Sequence, residues 1–406
     1  MLTRRQVLNR ALRGSSLVAL GTVVPQFVAR TARAAAPGKD TVLVVVELTG
    51  GNDGLNTVVP YADDLYHKAR PTLRQTKQQV IRLDDHVGLH PGLQGLTPLW
   101  DAGQLAVVQG VGYPNPDRSH FEAMDIWHLA DPARSSKTGW LGRASAEMDN
   151  RAGGIPILHV GTGKAPVAAA GTQGNNAVSL GDEKAFRLEV GDGDRSEARR
   201  KLLEDVSAPA EAEDDLLAFA RRRQVQTLGA VDLLRELLEG PNAVRTFTGG
   251  LQQKFQLVAG LIARGFGTRV FYLSLDGFDT HADQGPAHQQ LLMQLATGIG
   301  DFFRELNDTG NADRVRVMTF SEFGRRVGEN GSRGTDHGAA SCMFVAGGWV
   351  SGGVVGKHPS LSDLLEDDLK YHTDFRRVYA TLLDKWLNCD SKSVLGATWD
   401  HVKGLG

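Results

Sequence analysis

Residues 41–54 have the sequence TVLVVVELTGGNDG, and this stretch decides the fold class. Its first eight residues form a continuous, largely β-branched apolar run, which is typical of a strand buried on both faces of a parallel sheet. Further apolar runs that predict strands follow at 104–110, 155–160, 166–170, 269–275, 315–320 and 343–346. Segments with helical periodicity lie between several of them. This alternation predicts an α/β fold with a doubly wound, mostly parallel sheet flanked by helices.

The segments with helical periodicity are 96–100, 119–130, 287–306 and 373–387. A longer charged region at 195–265, containing alanine and leucine, has the same periodicity. It predicts a helical excursion that packs beside the sheet or caps its edge.

The N-terminus predicts export. Residues 3–8 (TRRQVL) resemble a twin-arginine signal, and a weakly apolar stretch at 16–28 precedes a small-residue cleavage site at 32–36 (ARAAA). The apolar stretch is too short to span a membrane. We therefore expect a signal peptide over 1–36, the twin-arginine translocase as a partner during export, a periplasmic or otherwise extracytoplasmic location, and no stable membrane anchor. The alternative is a basic amphipathic N-terminal helix.

Composition narrows the possible partners. The chain has 406 residues and a net charge of −2, so its electrostatics favour neither nucleic acid nor an anionic membrane surface. Its two cysteines, Cys342 and Cys389, have no metal-binding spacing. A disulfide and two buried thiols both remain open for them.

Three short clusters carry candidate chemistry: DGFDTH at 276–281, SEFGR at 321–325 and GTDHG at 334–338. The first two follow predicted strands, and the carboxyl ends of parallel strands meet at the crevice where α/β sheets bind ligands. Carboxylates and imidazoles are also the ligands of divalent metals. The predicted metal ligands are Asp53, Asp276, Asp279, His281, Glu322, Asp336 and His337. Two simpler interpretations remain: Asp53 as a turn residue, and Glu322 as the partner of a neighbouring arginine.

Residues 119–122 (SHFE) are a capping box, with serine at the N-cap and glutamate three residues later. A helix N-terminus also suits an anionic substrate, so Ser119 is both a candidate cap and a candidate nucleophile. His120 is a candidate for moving protons. His90 and Arg325 are candidate substrate-binding residues, although His90 and His120 could each equally be a hydrogen-bonded core histidine.

The runs at 47–56, 118–121, 320–325 and 334–338 resemble the DUF1501 family, whose members commonly carry a twin-arginine leader. The resemblance extends from about residue 41 to 387 and implies one domain over 41–390. That family looks like a distant relative of the alkaline phosphatase superfamily, which includes sulfatases and cofactor-independent phosphoglycerate mutases. The resemblance implies a doubly wound, alkaline phosphatase-like sheet, paired divalent metals and a nucleophile at a helix start.

The resemblance also implies site roles. Asp53 is similar to the first-strand metal ligand and Ser119 to the nucleophile. Asp276 or Asp279, together with His281, is similar to an Asp…His pair, and His337 to the late histidine that completes that site. Glu322 stands where the relatives have the Asp of an Asp-His-Gly motif, and Phe323 replaces the histidine. One ligand of the second metal is then missing unless Asp336 substitutes.

Two functional hypotheses follow. The first is an exported metal-dependent hydrolase acting on phosphate or sulfate esters of a small molecule or glycan, with one or two divalent ions (Zn, Mn or Ca). The alternative is a non-catalytic envelope binding protein with a structural metal. Phe323 favours the second hypothesis, and the set Asp53, Ser119, Glu322 and His337 favours the first.

Overall fold

A nine-stranded mixed sheet forms the centre of the protein. The structure is a computed structural model that describes residues 40–148, 155–161, 164–172, 174–175, 177–180 and 250–405. The strands are β1 (Val42–Thr49), β2 (Leu105–Gly112), β3 (Ile157–Val160), β4 (Ala177–Leu180), β5 (Val270–Asp276), β6 (Val315–Phe320), β7 (Ser341–Gly347), β8 (Gly353–Val355) and β9 (Thr373–Asp374). Their order is β8-β2-β7-β6-β1-β5-β3-β4, and β9 also pairs with β2.

The sheet is mostly parallel. β1 pairs in parallel with β5 and β6, and β3 continues this arrangement beyond β5. Within this sheet, β7 alone among the described strands is antiparallel to both of its neighbours. The predicted fold class, a mostly parallel sheet in an α/β protein, is therefore confirmed.

Nine helices are described: α1 (Gly54–Thr57), α2 (Asp64–Ala69), α3 (Thr97–Asp101), α4 (His120–Leu129), α5 (Trp140–Glu147), α6 (Leu251–Ala263), α7 (Gln284–Asp308), α8 (Phe375–Leu382) and α9 (Ser391–Leu395). Shorter 3-10 turns lie at Pro91–Leu96, Val167–Ala169 and Ala312–Arg314, and a π-helical turn lies at Leu383–Leu387. A small three-stranded sheet outside the main one contains Val58–Val59, Gly88–Leu89 and Ile81–Arg82. Two further strand pairs join Ala170–Gly171 to Gly174–Asn175 and Leu364–Leu365 to Asp368–Leu369. None of the described helices is long and apolar enough to cross a membrane.

Strand β1 is central because its side chains alternate between two apolar cores. Val44 and Val46 belong to a cluster that also contains residues of α6 and α7, whereas Leu43 and Val45 belong to a cluster with residues of α4, α5 and α8. Successive side chains of a strand point to opposite faces, so an unbroken apolar run requires cover on both. Helices on both faces supply this cover, as the doubly wound prediction requires.

Most predicted elements are present, with some differences. The strand predicted at 166–170 is wrong: Ala169 N donates to Pro166 O and closes a 3-10 turn, and only Ala170–Gly171 pairs. The last long helix starts at Phe375 because the preceding two residues pair with β2 and Asp374 caps the helix. Most of the predicted excursion at 195–265 lies outside the described residues, as does the signal peptide at 1–36.

The two cysteines are free, buried thiols. Cys342 belongs to the apolar cluster on one face of the sheet and Cys389 to the cluster on the other face. The sequence left a disulfide and two buried thiols open, and the structure has two buried thiols.

Candidate metal centre

The loops that carry the predicted ligands leave the same edge of the sheet. Thr49 at the end of β1 is in register with Asp276 at the end of β5, and Glu47 is in register with Phe320 at the end of β6. Loops that continue from adjacent parallel strands therefore begin side by side.

Two glycines allow these loops to approach closely. Gly50 has φ +115°, and a Cβ there would overlap the backbone N of Asp279. Gly51 has φ +76°, and a Cβ there would overlap the ring of Phe323. Only glycine adopts such angles readily and leaves this space empty. The pair in the 41–54 stretch therefore positions the other two loops.

Arg325 ties the loops together. Its side chain is fully buried. Nε donates to Gly51 O (2.7 Å), Nη1 donates to Thr335 O (2.8 Å), and Nη2 donates to Phe278 O (3.0 Å) and to Asp279 Oδ1 (2.8 Å). The structure thus places this predicted substrate-binding residue inside the protein, where it positions Asp279.

Three imidazoles converge on Asp279. The Nε2 atoms of His281, His337 and His120 lie 3.1, 3.2 and 3.5 Å from Asp279 Oδ1. The Nε2 atoms of His281 and His337 are 3.0 Å apart. Bonds of about 2.0–2.1 Å in a tetrahedral zinc site imply ligand atoms about 3.3 Å apart, close to these separations. The four side chains could therefore hold one ion.

Each imidazole is anchored through its other nitrogen. His120 Nδ1 donates to Glu322 Oε1 (2.8 Å), and His281 Nδ1 donates to Asp336 Oδ1 (3.1 Å). His337 Nδ1 donates to the backbone oxygen of Arg118 (2.8 Å). This is the usual support of metal-bound histidines, because it selects the tautomer whose Nε2 carries a lone pair. With both Nδ1 atoms donating, the Nε2 atoms of His281 and His337 direct lone pairs at each other, and a cation between them would remove that repulsion. His120 Nε2 is buried and has no hydrogen-bond partner in the described structure.

The charges at the centre suit a cation. Burial alone would raise the pKa of Asp279, but the hydrogen bond and the charge of Arg325 lower it to about 2, so the carboxylate is ionised at neutral pH. The hydrogen bond to Glu322 raises the pKa of His120. A cation would compete with a proton for that imidazole, so binding should weaken in acid.

The centre is open to solvent. The side chains of the four converging residues are between 23% (His337) and 48% (Asp279) exposed. Structural zinc sites are closed by four protein ligands, whereas catalytic sites keep a position accessible to water or substrate. The observed exposure of these side chains resembles that of a catalytic site.

Two predicted ligands lie outside this group. Both carboxylate oxygens of Asp53 accept from Arg70 (2.6 and 3.2 Å), and Asp53 also accepts from Gln284 and from the backbone of Asn56. Asp53 caps α1 and contacts none of the three imidazoles in the described structure. Asp276 is exposed at the end of β5 and interacts electrostatically with Lys254. Their ligand roles gain no support.

Glu322, Asp336 and His90 also lie outside the group of atoms that converges on Asp279 Oδ1. Glu322 and Asp336 accept from imidazoles, and Glu322 Oε1 also accepts from Gly50 N (2.8 Å). His90 is buried with its Nδ1 accepting from Gly92 N (3.0 Å), and burial lowers the pKa of His90 to about 3. His90 therefore has the properties of the core-histidine alternative.

The capping-box prediction is wrong. Ser119 occupies the N-cap of α4 with an extended backbone, but its side chain makes no cap hydrogen bond, and it is exposed. Glu122 pairs with Arg134 instead of reaching back to the Ser119 backbone, whose N donates to Asp117 Oδ1 (2.8 Å). The neighbour of Ser119, His120, enters the cluster of imidazoles.

Arg118 and the packing role of Phe323 were missed by the sequence reasoning. The Arg118 carbonyl orients His337, and the Phe323 ring lies 4.9 and 4.7 Å from the rings of His120 and His337 (centroid distances). Both residues occur in the motif runs at 118–121 and 320–325, so the signal was present. The contacts of Arg118 with His337 and of Phe323 with His120 cross more than 200 residues of sequence and depend on the fold.

Similar solved structures have low identity. The sulfatase PsFucS1 from Pseudoalteromonas sp. is 9% identical, with a TM-score of 0.38 and coverage of 94% of this chain and 74% of that one. Ps i-CgsB is 9% identical, with a TM-score of 0.38 and coverage of 90% of this chain and 75% of that one. A protein in the alkaline phosphatase superfamily from Vibrio parahaemolyticus is also 9% identical, with a TM-score of 0.35 and coverage of 92% of this chain and 75% of that one. These values carry no conclusion about activity. No curated protein matches the chain.

A family model gives a firmer assignment. The model described as "Protein of unknown function (DUF1501)" matches residues 103–397, well over half of the chain. The matched region contains the three histidines, Asp279 and the residues that orient them. On this match the chain belongs to the DUF1501 family.

Proposed function

We propose that this protein is an exported, metal-dependent hydrolase of phosphate or sulfate esters. The observation that carries the proposal is the convergence of three imidazole Nε2 atoms on Asp279 Oδ1, with every Nδ1 held by an acceptor. Neutral imidazoles and a carboxylate arranged in this way form a donor set for a divalent ion.

The residues of the centre would have different roles. His120, His281, His337 and Asp279 would hold the ion, and Arg325 would keep Asp279 in place. When bound, a divalent ion supplies Lewis-acid stabilisation for the charge on the ester oxygens. The N-terminus of α4 adds a partial positive charge beside His120, which favours an anionic group.

The geometry supports one ion rather than two. Phe323 packs against two of the imidazoles. Among the described residues, one group of three or more His, Cys, Asp or Glu has metal-ligand spacing, and it consists of His120, Asp279 and His337. His281 Nε2 lies beside this group, 3.1 Å from Asp279 Oδ1. Three imidazoles and one carboxylate suit zinc better than calcium, which prefers six to eight oxygen ligands. We therefore propose a single centre that prefers zinc.

A second candidate function is a binding protein in which the metal has only a structural role. The Phe323 packing favours it, because it fills space beside the imidazoles that a substrate or second ion would use. The exposure of the four converging side chains favours the hydrolase, because a purely structural ion is usually enclosed.

Ser119 remains the proposed nucleophile, and one variant tests it. Its hydroxyl is exposed, is not used as a cap, and precedes His120 directly. We expect the purified protein to carry about one equivalent of metal and to hydrolyse aryl phosphates or aryl sulfates. Ser119→Ala should retain the metal and lose at least about 100-fold in kcat, since it removes the attacking oxygen.

Ser393→Ala, at an exposed serine in α9, is the matched control and should keep full activity. Unchanged turnover by metal-loaded Ser119→Ala would remove Ser119 from the mechanism. A protein that binds one equivalent of metal but hydrolyses no aryl ester would favour the binding-protein function.

Export is proposed to depend on the arginine pair in residues 3–8. Replacing Arg4 and Arg5 by lysine should leave the precursor in the cytoplasm, because the translocase recognises the twin arginines. Cell fractionation followed by immunoblotting measures this, with the unchanged signal as reference. A normal extracytoplasmic yield of the double-lysine protein would contradict twin-arginine export.

A further inference from the structure

A cavity of about 510 Å³ lies beside the metal centre and has no assigned role. It shares Glu322 and Arg118 with the centre, and a hairpin formed by Leu364–Leu365 and Asp368–Leu369 provides one wall. Its volume lies within the roughly 300–1,000 Å³ of small-molecule sites. We call it the hairpin cavity.

The hairpin is fixed relative to the metal centre. Glu366 and Asp367 at its tip both have positive φ (53° and 66°), as a tight two-residue hairpin turn requires. Arg118 Nε donates to Asp368 Oδ2 (2.9 Å), and Arg118 Nη2 donates to Glu366 Oε2 (3.2 Å). The carbonyl of the same Arg118 orients His337. One residue therefore sets the position of the cavity wall and of an imidazole.

Asp368, a residue of this wall, has an unused acceptor. The residue is 1% exposed, and its Oδ1 is buried with no hydrogen-bond partner in the described structure. Leaving a buried acceptor unpaired is costly, so such an atom usually has a partner in the functional state. Because Asp368 lines the cavity, a hydroxyl or amino group of a bound ligand is a suitable donor.

The remaining lining indicates the rest of the ligand. Leu365 (53% exposed) and Tyr371 (38%) are among the few exposed large hydrophobic residues, and both line the cavity. The lining includes two cationic residues, Arg118 and Lys370, and three anionic ones, Glu322, Glu366 and Asp368. The excess of carboxylates disfavours a strongly anionic group here. Apolar surface with an unpaired acceptor suits a neutral ring that carries hydroxyl groups.

We propose that the hairpin cavity binds a sugar residue, the non-reacting part of an ester substrate. A ring hydroxyl donates to Asp368 Oδ1, and the apolar face of the ring packs against Tyr371 and Leu365. The assignment to a substrate depends on the proposed hydrolase function, because the ester group would lie at the metal centre. Sugar binding itself does not depend on hydrolysis.

Calorimetric titration of the full-length mature protein, after treatment with EDTA, tests the cavity alone. The probes are cellobiose, maltose and N,N′-diacetylchitobiose, all neutral, with cyclohexylamine as an amine of similar ring size. At least one disaccharide should bind with millimolar or tighter affinity. Tyr371→Ala and Asp368→Asn should each weaken that binding about tenfold, through loss of ring contact and of a charge-assisted hydrogen bond.

Trp349→Ala is the matched control, since Trp349 is an exposed aromatic (75%) outside the cavity lining, and it should change the affinity less than twofold. Binding by none of the three sugars, unchanged affinity in both cavity variants, or Asp368-dependent binding of cyclohexylamine in place of the sugars would overturn the proposal. Sugar binding by a protein without esterase activity would contradict the proposed hydrolase function and support the cavity assignment.

Discussion

His337→Ala should abolish metal binding at the proposed centre. The change removes one of four donor atoms and leaves His281 Nε2 without the neighbour that lies 3.0 Å away. Altering a residue that merely orients a ligand typically weakens metal affinity about 10–100-fold, so removing the ligand itself should weaken it by more than about 100-fold. Hydrolysis should fall with metal content, because the ester charge would no longer be stabilised.

Metal content after dialysis, measured by plasma mass spectrometry, tests this expectation, together with a competition titration for zinc. His86→Ala is the control: His86 is exposed and remote in sequence from the three clusters, and its replacement should leave one equivalent bound. Glu322→Ala should give an intermediate loss of about 10–100-fold, since it removes the acceptor for His120 Nδ1. Stoichiometric zinc in His337→Ala would eliminate the proposed centre.

Arg70→Met should destabilise the fold by about 3–5 kcal/mol, the range for removing one partner of a buried ion pair. The side chains of Arg70 and Asp53 are both fully buried, with Nη1 of Arg70 2.6 Å from Oδ2 of Asp53. Without Arg70, the Asp53 charge would remain in the interior with only Gln284 and the Asn56 backbone as donors.

The same pair predicts a loss of stability in acid. Burial raises the pKa of Asp53, but the charge of Arg70 outweighs burial and lowers it to about 2. The unfolded pKa is about 3.9, so the folded state holds the proton less tightly. The contribution of Asp53 is complete above the unfolded pKa and is lost as the pH falls from about 4 towards 2. Arg70→Met should weaken this part of the acid dependence.

Urea unfolding at neutral pH and at pH values down to about 3 measures both effects. Asp85→Ala is the control, because the Arg82–Asp85 pair is exposed and solvent screens the attraction between its charges. The double variant Asp53→Asn with Arg70→Met should recover part of the loss, since no unpaired charge remains. An Arg70→Met protein as stable as wild type would show that Asp53 is not held as an ionised, buried partner.

The sequence by itself determined the architecture and the edge of the sheet where the site forms. The unbroken apolar run of β1 requires cover on both faces, and the clusters at 276–281 and 321–325 had to emerge together because they follow parallel strands. Glycine at 50 and 51 allowed a close turn there. These conclusions depend on the period of a strand and on chain direction, which are local properties.

Only the tertiary structure decided which polar side chains meet. Asp53 ends in an ion pair because α2 brings Arg70 to it, and His120 joins the imidazoles because α4 starts beside Glu322. In a loop, the direction of a side chain depends on backbone angles and on partners that are distant in sequence. Spacing therefore identified Asp279, His281 and His337 as candidates, but it could not separate Ser119 from His120 or a ligand from the residue that orients it.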